Sequence, residues 1–257
     1  MMEEINRLLS RIVDCFRQPL GKKVSGIYLH GSLAMGCFHH KKSDIDLLVL
    51  VSEKLTLEDK YAVIHNVLRL EGQLPLKGLE FSVVHESVLN PFLYPTPYEL
   101  HYSIAHHKKY TEDSGYLCTD GVDEDLAAHL TITYERGVCL YGRPLKELIP
   151  PIDRQFFVQS ILSDLKFVKQ EISGNPVYYV LNLLRALYFL QEGILSSKQE
   201  AGEWALNTLP LIREFEMLVA QCLQDYRGEL VDAKQYAETR LIRFADLILA
   251  WMNQISE

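Results

Sequence analysis

Two aspartates separated by one residue, Asp44 and Asp46, stand at the start of an apolar segment that runs from Ile45 to Val51. Side chains alternate between the two faces of a β-strand, so both carboxylates are predicted to lie on one face. Two carboxylates held that close repel each other unless a cation neutralises them. Mg²⁺ suits such a pair, because it binds one or two carboxylates together with the phosphates of a substrate. The spacing therefore predicts a magnesium site that serves a phosphorylated substrate.

A glycine–serine turn, Gly31-Ser32, precedes the two aspartates and ends another apolar segment, Val24 to His30. Glycine allows the backbone to turn sharply and to approach a ligand closely. The Ser32 hydroxyl and backbone N–H can both hold phosphate oxygens. Either motif alone has an ordinary interpretation, since Gly-Ser is a common turn and Asp-x-Asp is commonly a solvated strand end. Their combination between two buried strands predicts an enzyme that transfers a nucleotide from a nucleoside triphosphate.

A third acid, Glu80, lies near the start of another short apolar segment, Leu79 to Val84, which follows Lys77-Gly78. One interpretation is a residue at the edge of the core, held by a backbone amine or an arginine. The other is a general base that accepts a proton from an attacking hydroxyl, a role that contributes about 10²–10⁴-fold in rate. Three acids on neighbouring strands favour the second interpretation and make Glu80 a third candidate metal ligand.

The composition limits the kinds of partner and the compartment. The 257 residues carry a formal net charge of −8, which argues against a general nucleic-acid binder and is compatible with a small cationic substrate. No apolar segment is long enough to span a membrane, and the acidic N-terminus lacks the apolar region of a signal peptide. The five cysteines are scattered and odd in number, as is typical of reduced thiols. We therefore expect a cytoplasmic protein that binds neither nucleic acid nor membrane.

The pattern of apolar residues changes at Pro150-Pro151, from alternating strands and helices to helices alone. The sequence therefore predicts an α+β domain with a mixed sheet at residues 1–150 and an all-helical bundle at residues 151–257. The local predictions are a helix over Leu57–Leu70, a loop over Asn90–Pro97, a helix over Asp123–Tyr141, a helix from Asn175-Pro176 to about Gly193, a helix opened by Ser197, and helices over Pro210–Tyr226 and Val231–Asn253.

Two basic residues of the second domain have two interpretations each. Ser197 to Glu200 is a capping-box sequence, which places Lys198 at the first helical position. The helix dipole favours anions there, so Lys198 is either a solvated surface lysine or a ligand for a polyphosphate at the helix N-terminus. Arg185, on the preceding leucine-rich helix, is either part of an ion pair inside the bundle or a second ligand for the same anion.

These motifs together resemble the aminoglycoside (3'')(9) adenylyltransferases, the spectinomycin and streptomycin resistance enzymes of the polymerase-β-like nucleotidyltransferase superfamily. The resemblance covers nearly the whole chain. It rests on the Gly-Ser and Ser-Asp-Ile-Asp segment at 24–51, Leu-Glu-Phe-Ser-Val-Val at 79–84, Pro-Tyr-Glu-Leu at 97–100, Val-Leu-Asn-Leu-Leu-Arg at 180–185, and Ser-Lys-Gln-Glu-Ala-Gly-Glu-Trp-Ala-Leu at 197–206. It implies a polymerase-β-like domain followed by a helical domain, and Mg²⁺-dependent transfer of AMP from ATP to an antibiotic hydroxyl.

The resemblance also implies a role for each matching residue. Asp44 and Asp46 would hold Mg²⁺, and Glu80 would be the general base and a further metal ligand. The residues that would contact ATP come from both domains: Gly31, Ser32, Ser43, Arg185, Lys198 and Tyr226. We expect a monomer whose partner is a small-molecule antibiotic.

The choice of antibiotic depends on two segments in which the chain departs from its relatives. Streptomycin-accepting members have a tryptophan shortly after Pro-Tyr-Glu-Leu, where this chain has Ala105, and another before the Val-Leu helix, where residues 166–175 contain none. A stacking plane and carboxylates suit a guanidinium, so spectinomycin is the expected acceptor. Streptomycin, a protein, or another small hydroxyl compound are the alternatives. The candidate acceptor contacts are Glu80, Tyr102, Glu171 and Asn175, and Asn175 is equally a helix cap.

Overall fold

The protein is represented by a computed structural model that describes residues 2–229 and 236–256. The chain divides into two compact units, Met1–Phe157 and Val158–Glu257. The domain boundary predicted at residue 150 lies shortly before this division and stays a prediction.

The first unit is built on a mixed five-stranded sheet. Its strands lie in the order β5 (Leu100–Tyr102), β3 (Leu79–His85), β2 (Ile45–Val51), β1 (Val24–His30) and β7 (Val138–Gly142). The neighbours β2 and β3 are parallel, whereas the other neighbouring strands are antiparallel. The parallel pair needs a crossover connection, and a helix between the two strands supplies it. A separate two-stranded sheet is formed by β4 (Thr96–Pro97) and β6 (Val122–Asp123).

Helices cover both faces of this sheet. The helices of the unit are α1 (Met2–Leu20), α2 (Gly31–Ala34), α3 (Leu57–Leu68), α4 (Ile104–Glu112), α5 (Leu126–Arg136) and α6 (Leu145–Leu148). One sheet face, with Leu47 and Phe81, packs in a core with residues of α1 and α3. The opposite face, with Tyr28 and Leu48, packs with Leu130 of α5. Because successive strand residues face opposite sides, the even-numbered residues of β2 and β3, including the candidate acids, belong to the α5 face.

Residues 137–142 correct the helix predicted over Asp123–Tyr141. Helix α5 ends at Arg136, and β7 then pairs antiparallel with β1 at the edge of the sheet. Gly137 closes the helix at a point where a Cβ atom would collide with the carbonyl oxygen of Thr133. Because β1 is distant from residues 138–142 in the sequence, the periodicity of the local segment could not reveal that the two strands pair.

The loop predicted over Asn90–Pro97 is also corrected at its end. Thr96 and Pro97 form the two-residue strand β4, which pairs with β6. Proline has no backbone N–H and is therefore tolerated only in strands that have an unpaired edge. Both strands of a two-stranded ladder have such an edge, so Pro97 is compatible with β4.

The second unit contains helices and no strand within its described residues. The central helix α9 (Pro176–Glu192) packs against α10 (Lys198–Thr208), α11 (Glu216–Tyr226) and α12 (Glu238–Ser256). The α9 residues with no exposed surface include Val180, Leu181, Leu183, Leu184 and Leu187. Helix α9 begins after Asn175 and ends at Gly193, whose φ of +72° is a left-handed helix cap. The other helices are α7 (Arg154–Asp164), which begins in the first unit, and α8 (Val168–Glu171).

Two helix predictions of this unit are adjusted at their starts. The helix predicted over Pro210–Tyr226 begins as a 3₁₀ segment, Pro210–Phe215, before α11. The helix predicted from Val231 is α12 from Glu238 onward, and residues 230–235 lie outside the described residues. Among the helices of the described residues, none is both long and apolar enough to cross a membrane.

Candidate active site

The three candidate acids meet on the α5 face of the sheet. Asp46 is the register partner of Glu80 on β3 and of His30 on β1. Residues in register on adjacent strands point to the same face, so strand pairing alone brings Asp46 and Glu80 side by side. Asp44 precedes β2 by one residue, and carboxylate oxygens of Asp44, Asp46 and Glu80 lie within 4.8 Å of one another. This is the kind of oxygen donor set that Mg²⁺ takes.

The Gly31–Ser32 turn lies against this acid cluster. Gly31 has a φ of +63°, and a Cβ atom built on it would overlap the carboxylate of Asp46. Gly31 therefore has two structural roles: it permits the left-handed backbone conformation, and it leaves space for the Asp46 carboxylate. The hydroxyl oxygen of Ser32 is buried and has no hydrogen-bond partner within the described part of the chain. A buried hydroxyl beside a cation site fits a phosphate oxygen as its missing partner.

Ser43 has a local structural contact in addition to its predicted contact with the triphosphate. Its backbone N–H donates to the carbonyl oxygen of His39 at 2.8 Å, and its hydroxyl oxygen accepts from the His39 N–H at 3.1 Å. These bonds fix the segment that leads into Asp44. The hydroxyl hydrogen of Ser43 is still available as a donor, so its predicted role is compatible with this geometry and stays a prediction.

Glu80 lies in a charged environment that also contains residues of α5. Burial raises the pKa of Glu80, nearby His129 opposes this, and the carboxylates of Asp44, Asp125 and Asp123 raise the pKa further. A carboxylate with a raised pKa binds a proton more strongly once it is ionised, as a general base requires. Glu80 can therefore accept a proton from a hydroxyl placed beside it.

His129 is a charged residue near Glu80 that the sequence motifs did not predict. Its Nε2 lies 3.5 Å from a carboxylate oxygen of Asp125, one turn earlier on α5. Burial opposes its protonation, yet Asp125, Glu80 and Asp123 raise the pKa of His129 to about 10. Burial and the neighbouring His129 hold the pKa of His30, whose ring centroid lies 5.0 Å away, well below its usual range. Only the Asp-x-x-x-His spacing at positions 125 and 129 could have signalled this pair.

Tyr102 belongs to the core rather than to the acid-bearing face, and its predicted contact with the acceptor stays a prediction. It is the register partner of Phe81, whose side chain points away from that of Glu80. The Tyr102 ring stacks on Phe81 with centroids 5.6 Å apart, is 3% exposed, and bonds through its hydroxyl to Nδ1 of His107 at 2.8 Å. A three-residue strand offers too short an alternation to reveal this orientation from sequence.

The basic candidates of the second unit occupy two helices. Lys198 is the first residue of α10, behind a capping box between Ser197 and Glu200, and its ammonium lies 4.3 Å from the ring centroid of Tyr178. Arg185 is half-buried on α9 and has no hydrogen bond or ion pair within residues 158–229 and 236–256. The contacts of the described residues therefore do not support the interpretation of Arg185 as part of an ion pair inside the helical bundle. Tyr226, the last residue of α11, is half-buried.

The two acceptor candidates that precede α9 are both exposed. Asn175 stands at the N-cap position, and its side chain makes no capping hydrogen bond, so its side-chain amide is not engaged in that role. Glu171, the last residue of α8, accepts a hydrogen bond from the hydroxyl of Tyr179. Their contact with an acceptor stays a prediction.

Two family models match successive parts of the chain. The model described as polymerase beta, nucleotidyltransferase, matches residues 11–92, and the model described as aminoglycoside adenylyltransferase, C-terminal domain, matches residues 147–250. The chain is therefore similar to a nucleotidyltransferase domain in its first part and to the C-terminal domain of aminoglycoside adenylyltransferases in its second part. The resemblance predicted from the sequence is confirmed, as is the α+β fold with a mixed sheet followed by a helical region.

Named relatives and a solved structure agree with these matches. The aminoglycoside (3'') (9) adenylyltransferase of Escherichia coli is 26% identical over 262 residues, which cover 99% of this chain and 97% of the relative. The spectinomycin 9-adenylyltransferase of Staphylococcus aureus (strain Mu50 / ATCC 700699) is 26% identical over 216 residues, or 82% and 81% of the two chains. The crystal structure of spectinomycin adenyltransferase AAD(9) from Enterococcus faecialis, with ATP and spectinomycin, matches 100% of both chains with a TM-score of 0.81 at 21% identity. The last comparison shows a shared fold.

Proposed function

We propose that this protein transfers AMP from ATP to a hydroxyl group of an aminocyclitol antibiotic, with spectinomycin as the acceptor and Mg²⁺ as the metal. The observation that carries the proposal is the cluster of Asp44, Asp46 and Glu80, whose oxygens lie within 4.8 Å of one another. Its position beside the Gly31–Ser32 turn, in a chain that matches a nucleotidyltransferase model and an aminoglycoside adenylyltransferase C-terminal model, supports nucleotidyl transfer over other uses of a three-acid site.

In the proposed reaction the acids have distinct roles. Asp44 and Asp46 hold the metal, which when bound neutralises charge on the triphosphate oxygens. Glu80 accepts the proton of the acceptor hydroxyl. The hydroxyl oxygen then forms a bond to the α-phosphorus of ATP while the bond to the departing pyrophosphate breaks. Products are the adenylylated antibiotic, pyrophosphate and one proton, and positioning and electrostatics supply most of the rate.

The proposed nucleotide contacts divide by chemistry. Ser32 and Ser43 donate to phosphate oxygens, and the buried hydroxyl of Ser32 has no other partner among the residues that the structure describes. Arg185 and Lys198 place positive charge at the triphosphate, and an arginine without an ion pair in the described part of its unit is available for a bidentate contact. Tyr226 completes the set as a contact implied by the family resemblance.

The choice of spectinomycin rests on the relatives and on two segments of this chain. Relatives that cover most of the chain are named as spectinomycin 9-adenylyltransferases. Ala105, in the exposed first turn of α4, offers no stacking plane for a guanidinium, and residues 166–175 contain no tryptophan. Glu171 and Asn175 remain as exposed polar contacts for a smaller cation.

The test is pyrophosphate release by the purified protein with ATP and Mg²⁺, measured with spectinomycin, with streptomycin and without an acceptor. We expect release that requires spectinomycin and stops when the metal is chelated. Asp46→Asn should abolish turnover, whereas Asp14→Asn, at a half-exposed acid on α1, should not. Release that needs no antibiotic, or full turnover by Asp46→Asn, would contradict the proposal.

The acceptor class is tested separately with ATP labelled in its α-phosphate, added to a cell lysate with and without spectinomycin. We expect the label to appear in a small molecule only when spectinomycin is present. A labelled protein band would instead show that the acceptor is a protein, and faster transfer to streptomycin than to spectinomycin would reverse the proposed preference.

A further inference from the structure

The ammonium group of Lys198 lies against an aromatic ring rather than in open solvent. Its Nζ is 4.3 Å from the centroid of the Tyr178 ring, within the distance at which a cation is attracted to the face of an aromatic ring. The two residues are far apart in sequence and belong to different helices, α10 and α9. The contact is therefore a product of helix packing within the second unit.

The Tyr178 ring is itself held at its far end. The Tyr178 hydroxyl donates to one carboxylate oxygen of Asp164 at 2.7 Å. The other carboxylate oxygen of Asp164 accepts from the side-chain amide of Asn182 at 3.0 Å. Asn182 is 3% exposed, one turn beyond Tyr178 on α9. Hydrogen bonds to a charged acceptor are stronger than neutral ones, so Asp164 holds the ring and the buried amide together.

The contact with Tyr178 offsets an unfavourable electrostatic environment at Lys198. The first turn of a helix carries partial positive charge, so an ammonium there is disfavoured unless something else attracts it. A free lysine side chain also has several rotatable bonds, and ordering it on ligand binding costs conformational entropy. A ring already in place against the ammonium reduces both costs.

The same face of α9 also carries the second cation of the proposed nucleotide site. Tyr178, Asn182 and Arg185 are at positions i, i+4 and i+7, which share one side of an α-helix. The ring that supports Lys198 and the guanidinium of Arg185 therefore project from one helix surface. This arrangement places two positive charges in one part of the second unit.

We propose that Tyr178 is a positioning residue for nucleotide binding, which holds the Lys198 ammonium in place for the triphosphate, with Asp164 and Asn182 fixing the ring. The proposal rests on the proposed function, because it assumes that Lys198 contacts ATP. It assigns to the Tyr178–Asp164–Asn182 set a purpose other than the packing of helices.

A double-mutant cycle tests the proposal, with Tyr178→Leu, Lys198→Met and the double variant. The readouts are the Kd for ATP with Mg²⁺ by calorimetry, the KM for ATP, the KM for spectinomycin and kcat. Tyr178→Leu should raise the Kd and KM for ATP about 3- to 10-fold, as expected for a lost cation–π contact, and leave the KM for spectinomycin unchanged. In the Lys198→Met protein the same substitution should change the Kd for ATP by less than about 2-fold, because the ammonium is already absent.

Conservative substitutions separate positioning from folding. Tyr178→Trp offers a ring face of greater cation affinity but loses the hydroxyl that bonds to Asp164, so its ATP affinity should lie above that of Tyr178→Leu and below that of the original protein. Tyr178→Phe keeps the ring but loses the bond to Asp164, and should give an intermediate affinity. The matched control is Tyr188→Leu, which removes a ring of the same size from the same helix, where it stacks on Trp204. The control should leave the Kd for ATP unchanged.

The outcomes distinguish two kinds of failure. If Lys198→Met weakens ATP binding while Tyr178→Leu does not, or if the two effects multiply fully in the double variant, the positioning role is wrong and the proposed function stands. If Tyr178→Leu changes only the KM for spectinomycin, Tyr178 contacts the acceptor and the positioning role is again wrong. If Lys198→Met leaves ATP binding unchanged, the assignment of Lys198 fails, and the role of Tyr178 fails with it.

Discussion

The acid cluster of the first unit and the basic residues of the second unit are positioned by different means. The register between β2 and β3 aligns Asp46 with Glu80, so backbone hydrogen bonds hold these acids in place. Lys198 is held by side-chain contacts, with Tyr178 beneath its ammonium. Backbone register allows little adjustment, whereas a long side chain on a ring adapts. We therefore expect substitutions in the acid cluster to affect the chemical step and substitutions among the cations to affect nucleotide affinity.

Glu80→Gln is the strongest test of this contrast. The amide keeps the size of the side chain and loses the proton acceptor, so kcat should fall about 10²–10⁴-fold while the Kd for ATP changes little. Turnover is measured as antibiotic-dependent pyrophosphate release at saturating ATP. Glu58→Gln, at an exposed glutamate of α3, is the matched control and should be neutral. A fall in kcat of less than 2-fold for Glu80→Gln would remove Glu80 from the role of base.

Gly31→Ala tests whether the turn and the acid must fit together. The new Cβ atom would overlap the carboxylate of Asp46 at a residue with φ of +63°. Displacing one acid by about 1 Å should lower kcat/KM on the order of 10²-fold. The control is Gly36→Ala, because Gly36 has a similar φ of +75° but no atom within 4 Å of the new Cβ. Equal losses in the two variants would assign the effect to backbone strain rather than to the displaced acid.

Arg185→Met tests the basic residues of the second unit, for which we expect a smaller effect than for the acid cluster. Losing a hydrogen bond to a charged group costs about 1.5 kcal/mol, which corresponds to roughly a 10-fold higher KM for ATP. Initial rates over a range of ATP concentrations should show this change with kcat within about 3-fold of the original value. Arg213→Met, at an exposed arginine of the same unit, is the control. A large fall in kcat with an unchanged KM would show that Arg185 acts on the chemical step, and the contrast between the two units would be lost.

The acid cluster could be predicted from the sequence because strands have a period of two residues. The segments Val24–His30 and Ile45–Val51 were predicted with the bounds that the structure has, and the shared face of Asp44 and Asp46 follows from alternation alone. The adjacency of Glu80 depended on guessing that the third strand pairs with the second, which the structure supports.

The features that the sequence did not reveal depend on contacts between distant segments. The strand Val138–Gly142 exists because β1 offers it an edge, and Tyr102 faces the core because β5 pairs with Phe81. Neither pairing has a local signal. The contact between Tyr178 and Lys198 likewise arises from the packing of α9 against α10, and helical periodicity predicts faces rather than partners.

The smallest expected effect is a pH dependence of stability that arises at the edge of the acid cluster. Folding raises the pKa of His129 from 6.5 to about 10. A group with a raised pKa stabilises the fold fully below its unfolded pKa and loses that contribution as the pH rises through the folded value. The difference in the free energy of unfolding between the original protein and His129→Gln should therefore shrink from pH 6.5 to pH 10. The expected change is about 0.5–1 kcal/mol, because Asp125 is nearly half exposed and water screens the pair.

Urea titrations of both proteins at several pH values measure this difference, and Asp125→Asn provides the matched control. With the acid neutralised, the same His129→Gln substitution should show a weaker dependence on pH, since Asp125 is the strongest of the carboxylates that favour the imidazolium. An undiminished dependence in the Asp125→Asn background would assign the charge of His129 to Glu80 and Asp123 instead. His129 would then be tied to the acid cluster itself, and a side-chain contact would share in holding the acids that strand register brings together.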